Sequence, residues 1–261
     1  MKTLLSFSVL SLSLVSTAVA DNAKPAPAQA KPTIVLAHGA FADGSSWDKV
    51  VPLLQSKGYN VVAVHQPLSS LADDVAATRR VIRSQPGDVV LVGHSYGGSI
   101  ITEAGNEPKV TKLVYVAAFA PDANESIEDL AKGGPPLPWL PTVTFDEGGY
   151  GSIPLATMTT FFAQDLPAVE QKTLAAKQGW TSGKTLTDKP KAAAWKSKPA
   201  WYVRAANDKF IPPDAQAFMA KRINAKVVSV NGSHVVMLSK PKQVVDVIVE
   251  AATAAPKTAA K

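Results

Sequence analysis

From residue 33 onward the chain alternates short β-branched runs with longer helical patterns, and this rhythm limits the possible folds more than any other feature. Residues 33–37, 61–65, 88–92, 112–117, 199–204 and 225–230 read as strands, several of them apolar throughout, as strands buried on both faces are. Between them, residues 46–56, 71–84, 96–105, 213–221 and 241–252 carry helical patterns. In the second of these, Asp73 and Asp74 stand near the start and Arg79, Arg80 and Arg83 near the end, the sense that a helix dipole favours. Parallel strands need crossover connections, so the alternation predicts an α/β fold with a mainly parallel six-stranded sheet flanked by helices. One domain spanning 33–252 accommodates it.

Residues 121–198 break the rhythm. They hold no clear strand, a cluster of prolines (Pro135, Pro136, Pro138, Pro141), glycines at 148, 149 and 151, and helical pieces at 155–163 and 166–177. An insertion at the carboxyl edge of a parallel sheet lies where ligands enter, so a helical lid inserted between strands is expected here.

The two ends have a different character. Lys2, an apolar run over 4–15 and Ala18-Val19-Ala20 form the pattern of a signal peptide over 1–20, with cleavage after Ala20. The run is shorter than the ~20 apolar residues that span a bilayer. The expectation is an exported protein, periplasmic or extracellular, with no membrane insertion after cleavage. An Ala/Pro-rich linker at 21–32 and a flexible tail at 253–261 have little apolar surface to bury. The chain has no cysteine, which excludes thiolate catalysis and cysteine metal sites. Its net charge of +6 includes lysines of both ends, and the lysines at 184, 189, 191, 196 and 198 read as solvated surface, so no nucleic-acid partner is expected.

The chemistry is concentrated where the strand at 88–92 runs into Gly93-His94-Ser95-Tyr96-Gly97, a G-x-S-x-G sequence between a buried strand and a helix. The glycines permit a sharp strand-to-helix turn that lifts the Ser95 hydroxyl clear of the backbone, at a helix N-terminus that favours developing negative charge. A serine hydroxyl needs a base to take its proton. Of the four histidines, His94 adjoins Ser95 and points away from it, His38 ends the first strand and braces a loop, and His65 lies near the rim. His234, on the loop Asn231-Gly232-Ser233-His234 after the last strand, is the expected base.

The imidazole in turn needs a carboxylate. Asp208, just past the strand at 199–204, is preferred; Asp122 is the rival, and Asp214 is better explained as a first-turn helix residue. The order Ser95, Asp208, His234 fits this architecture. For the oxyanion, one backbone donor is expected from Tyr96 and the other from the loop after the first strand, with Ala40 first choice and Phe41 second.

These residues resemble the α/β-hydrolase superfamily over nearly all of 33–252. The segment from Thr33 to Phe41 with Trp47 downstream, Gly93-His94-Ser95-Tyr96-Gly97-Gly98 and Gly232-Ser233-His234 are similar to its compact branch of plant methyl esterases and hydroxynitrile lyases, together with bacterial esterases. The resemblance implies Ser95, His234 and Asp208 as a triad, Ala40 and Tyr96 as oxyanion donors, and no metal or cofactor. The lyases of that branch carry a threonine where Gly39 stands and a lysine where Val235 stands, which favours hydrolysis here.

The expected activity is a secreted serine hydrolase acting on a small-molecule carboxylic ester, with Trp139, Leu140, Phe161 and Phe162 as candidate pocket walls. A cofactor-free perhydrolase or haloperoxidase of the same fold, and a receptor-like ligand-binding homologue, are the alternatives.

Overall fold

The computed structural model describes residues 30–255 apart from 133 and 135. The expected signal peptide, most of the linker and the end of the tail lie outside the described residues. The chain first lays down β1 (Thr33–Ala37), α1 (Val51–Ser56), β2 (Val61–Ala63), α2 (Leu71–Ser84), β3 (Val89–His94), α3 (Gly97–Ala104) and β4 (Val110–Val116) in alternation. An insert follows with α4 (Ile127–Ala131), β5 (Thr144–Phe145), β6 (Tyr150–Ser152), α5 (Leu155–Thr157), a π-helical turn at Met158–Phe162, α6 (Ala168–Lys177), β7 (Thr181–Ser182) and α7 (Lys184–Thr187). The alternation resumes with β8 (Ala200–Ala205), α8 (Pro213–Arg222), β9 (Lys226–Val230), α9 (Val236–Ser239) and α10 (Pro241–Thr253).

Six strands form the expected sheet, in the order β2-β1-β3-β4-β8-β9, with every neighbouring pair parallel. Every residue of β1 and β3 is buried, whereas the edge strand β9 exposes Lys226 and Val227. The strand order reverses between β1 and β3: the chain steps outward from β1 to β2 and then returns to the other side. At such a switch point the connections leave the sheet in opposite directions and open a crevice at the carboxyl ends of the strands. Register pairs Ala37 with Gly93, so the loop after β1 and the turn after β3 leave the sheet side by side.

Local chemistry explains the helix boundaries. Ser70 caps α2 by accepting the Asp73 N–H, Asp73 and Asp74 occupy its first turn, and Arg83 in its last turn pairs with Glu107. The single helix expected at 46–56 is instead a 3-10 turn at Gly44–Trp47 followed by α1. Pro52 lies in the first turn of α1, where its missing N–H costs nothing; further into a helix begun at residue 46 it would have broken the bonding.

The insert also departs from expectation, because it contains strands. β5, β6 and β7 pair into a small antiparallel sheet, each strand two or three residues long, too short to leave a period in the sequence. Trp139, Ile153, Met158 and Phe162 of the insert are buried in the same hydrophobic cluster as the main sheet.

Candidate active site

Ser95 sits between β3 and α3 with φ of 53°, a left-handed conformation that costs a non-glycine residue about 1–3 kcal/mol. The turn survives because its surroundings leave no alternative. The Ser95 N–H donates to Val116 O, its carbonyl accepts from Gly98 N and Phe119 N, and α3 starts so close to β1 that a Cβ on Gly97 would lie 2.7 Å from the carbonyl oxygens of Ala37 and His38. The loop after β1 approaches just as closely: a Cβ on Gly39 would lie 2.7 Å from the Ser95 Cβ.

The structure brings together Ser95, His234 and Asp208. His234 Nε2 lies 2.9 Å from Ser95 Oγ, and His234 Nδ1 lies 2.8 Å from Asp208 Oδ2. All three residues are buried, His234 completely. Asp208 Oδ1 accepts the backbone N–H groups of Phe210 and Ile211 at 2.7 and 2.9 Å, and Oδ2 accepts the Gln216 side-chain amide at 2.8 Å. Every partner of this carboxylate is a donor, so the His234 Nδ1–H completes an acceptor-only set and Nε2 is left as the ring's acceptor toward Ser95. The rival, Asp122, instead pairs with Lys196 at 2.5 Å near the surface and accepts the Ala123 N–H. Asp214 is in the first turn of α8.

Gln216 was not legible as a site residue. It is fully buried on α8, gives its amide N–H to both Asp208 and Ile211 O, and accepts the Ala205 N–H at 2.9 Å. It thereby ties Asp208 to the end of β8.

The other histidines divide by burial. His65 is exposed. His38 is buried and pushed by desolvation down to about 4, so it is neutral at physiological pH. Its Nε2 accepts the Gln66 N–H at 3.4 Å, which leaves the proton on Nδ1, and Nδ1–H donates to Gly39 O at 2.9 Å. That carbonyl shares a peptide group with the Ala40 N–H, so His38 fixes the plane of the first expected oxyanion donor. His94 is completely buried and held by burial well below the usual histidine value; its Nε2–H donates to the carbonyl of His234 at 2.9 Å. It makes no hydrogen bond to the Ser95 hydroxyl and supports the backbone of His234.

Among the described residues, neither the Ala40 N–H nor the Tyr96 N–H meets a protein acceptor. Phe41 differs: its N–H is taken by Thr181 Oγ1 of the insert at 2.9 Å, so of the two expected candidates in this loop only the Ala40 N–H has no acceptor among the described residues. Behind Tyr96, its hydroxyl donates to Asp74 Oδ2 at 2.6 Å, and Asp74 Oδ1 accepts the Leu68 N–H at 2.8 Å. Burial pushes Asp74 up to about 6 and keeps the Tyr96 phenol protonated. The sequence marked Asp74 only as a first-turn acidic residue; its link to the residue after Ser95 is a tertiary contact.

Of the candidate walls, Trp139 stacks on Phe210 with ring centroids 3.7 Å apart and donates its indole N–H to Phe210 O, and Phe162 meets the His234 ring in a T-shaped contact with centroids 4.9 Å apart. Phe161 is half-buried and Leu140 is exposed. Phe210, whose ring centroid lies 4.8 Å from that of His234, also walls an apolar cavity of about 60 Å³ together with Phe119, Leu130, Leu137, Ile211 and Phe218. Among the described residues no group of three or more His, Asp or Glu is placed to hold a metal ion, and no helix is long and apolar enough to cross a membrane.

The chain is similar to known proteins over most of its length. It is 30% identical to an alpha-hydroxynitrile lyase of Arabidopsis thaliana, over 84% of this chain and 96% of that protein. It is 27% identical to methylesterase 1 of the same plant, over 83% and 94%. The crystal structure of a pyrethroid hydrolase from Sphingobium faniae JZ-2 superposes with a TM-score of 0.74 at 23% identity, covering 87% of this chain and 99% of that one. The model of the alpha/beta hydrolase family matches residues 34–247, and the chain belongs to that family.

Proposed function

We propose that this protein is a carboxylic ester hydrolase with Ser95 as nucleophile, His234 as general base and acid, and Asp208 as its orienting carboxylate. The observation that carries the reading is the unbroken hydrogen-bonded line from Ser95 Oγ through His234 to Asp208, at the crevice where the strand order reverses. In the first half-reaction Oγ attacks the ester carbonyl while its proton passes to Nε2; the oxyanion is met by the Ala40 and Tyr96 N–H groups, and the alcohol leaves with the proton from Nε2. In the second half-reaction water gives its proton to Nε2, attacks the acyl-serine, and releases the acid as Oγ regains a proton.

The methylesterase relative supports ester hydrolysis. Val235, the place at which the lyases of the branch carry a lysine, is buried and brings no cation to the site. The apolar N-terminal run ending in Ala18-Val19-Ala20 supports export of the mature enzyme.

The test is turnover of p-nitrophenyl acetate and butyrate by the purified protein and by Ser95→Ala. Loss of the nucleophile should lower kcat by about a million-fold, with circular dichroism unchanged. Substantial turnover retained by a folded Ser95→Ala would refute the assignment.

A further inference from the structure

Two consecutive residues of the insert reach the two loops that carry the acid and the base. Gln164 Nε2 donates to the carbonyl of Asn207, the residue before Asp208, at 2.7 Å. Asp165 Oδ2 accepts the N–H of Ser233, the residue before His234, at 2.8 Å. The two loops are also joined directly, by Asn207 N–H to Gly232 O at 3.1 Å. Three residues upstream of Asp165, Phe162 packs against the His234 ring. The third loop of the site is held the same way, through Phe41 N–H on Thr181 Oγ1.

We propose that Gln164 and Asp165 are positioning residues, a clamp by which the insert sets the spacing between the Asp208 and His234 loops; this rests on the ester-hydrolase reading. The points of attachment argue for it. The insert is anchored to the main body elsewhere, by Asp188 on the Leu71 N–H, by Lys191 N–H on Glu103 and by Ser182 N–H on Leu68 O. It does not need further bonds to stay in place, yet Gln164 and Asp165 bond at the residues one position before the acid and one before the base. The Asp165 contact is charge-assisted and therefore stiffer than a neutral amide pair. A proton relay tolerates little drift: a displacement of about 1 Å in a reacting group costs on the order of 100-fold in rate.

The clamp is tested with Asp165→Ala and Asp165→Asn in the full chain, the asparagine keeping an oxygen that accepts the Ser233 N–H. Three quantities are read: thermal midpoint, kcat and KM on p-nitrophenyl acetate, and the downfield proton resonance of the His234 Nδ1–H bound to Asp208. Asp165→Ala is expected to lower kcat about 10- to 100-fold with KM nearly unchanged, and to shift or broaden the resonance at an unchanged midpoint. Asp165→Asn should recover most of both. A wild-type kcat or an unmoved resonance in Asp165→Ala overturns the clamp, as does an asparagine variant no better than the alanine. A wild type without Ser95-dependent turnover, whose resonance still responds to Asp165→Ala, overturns the ester-hydrolase reading and leaves the clamp standing.

Discussion

Replacing Asp74 by asparagine should change the way stability depends on pH, and the size of the change can be worked from the structure. Asp74 is 0% exposed on α2, accepts the Tyr96 hydroxyl and the Leu68 N–H, and is nevertheless pushed by burial from 3.8 up to about 6. Two donors do not fully offset the cost of desolvating its charge. Because the native value is raised, the folded protein binds more protons than the unfolded chain between about pH 4 and 6, so this group's contribution to stability falls as pH rises through that window. A shift of about two units corresponds to ~3 kcal/mol, of which roughly 2.4 kcal/mol develops between pH 4 and 7, since the unfolded-state carboxyl is already partly ionised at the lower limit.

Asparagine cannot ionise, and it can keep both contacts, with its oxygen on the Leu68 N–H and its amide N–H on the Tyr96 oxygen. The wild-type curve alone would hide the effect. His38, pushed down to about 4, has the opposite linkage: its contribution is present above pH 6.5 and is lost as pH falls through 4. The difference between wild type and variant cancels this shared slope. Urea unfolding followed by tryptophan fluorescence at pH 4, 5, 6 and 7 should show Asp74→Asn gaining about 2–3 kcal/mol on the wild type across that range. Parallel stability curves would refute the reasoning, since a carboxyl that ionises at the same pH in both states contributes no slope.

Two further substitutions probe the acid. Asp208→Asn should lower kcat by about 10⁴-fold, as loss of the orienting carboxylate does, whereas Asp122→Asn, which breaks only the surface pair with Lys196, should leave kcat near wild type. Steady-state kinetics on one p-nitrophenyl ester checks the order, and the reverse order would move the acid's role to Asp122. Gln216→Glu places a second carboxyl where the Gln216 amide now donates to Asp208, and like charges disfavour ionisation, so the acidic limb of the kcat/KM profile should move to higher pH. A limb that stays in place would mean that Gln216 does not act through Asp208.

The parts of this architecture that were legible in the sequence are those decided locally. The helix at 71–84 matches the structure because its cap, Ser70, its first-turn acids and its last-turn arginine are all within the segment. Buried parallel strands such as β1 and β3 announce themselves by uninterrupted apolar runs. Ser95 could be singled out because the turn that strains it demands glycine at fixed neighbouring positions. His234 and Asp208 followed from elimination and from chain order, and the structure brings both to Ser95. What stayed hidden was decided by contacts across the chain. Asp74 carries the local signature of a helix N-terminus and Gln216 that of an ordinary α8 residue; that one meets Tyr96 and the other Asp208 depends on how α2 and α8 pack on the sheet. The strands of the insert are shorter than any period can reveal, and Gln164 and Asp165 look like loop polarity until their partners are placed.

The two buried histidines His94 and His38 bear on how the proposed mechanism would run with His234 as the one imidazole that moves a proton. Transfer from Ser95 would leave His234 positively charged, and His94 has its ring centroid only 4.7 Å away. A protonated His94 at that separation would oppose the new charge by ~3.5 kcal/mol at an effective dielectric constant near 20, about 400-fold in rate. Burial prevents this, by holding His94 well below the usual histidine value, where it is a neutral donor to the His234 carbonyl. His38 is kept neutral by the same desolvation and spends its one N–H on the Gly39 carbonyl. Both rings therefore act on backbone next to the residues of the proposed mechanism, in which the positive charge formed on His234 is matched by Asp208. The desolvation that makes these side chains costly to bury also removes the repulsion that a more solvated cluster of imidazoles would place against the transition state.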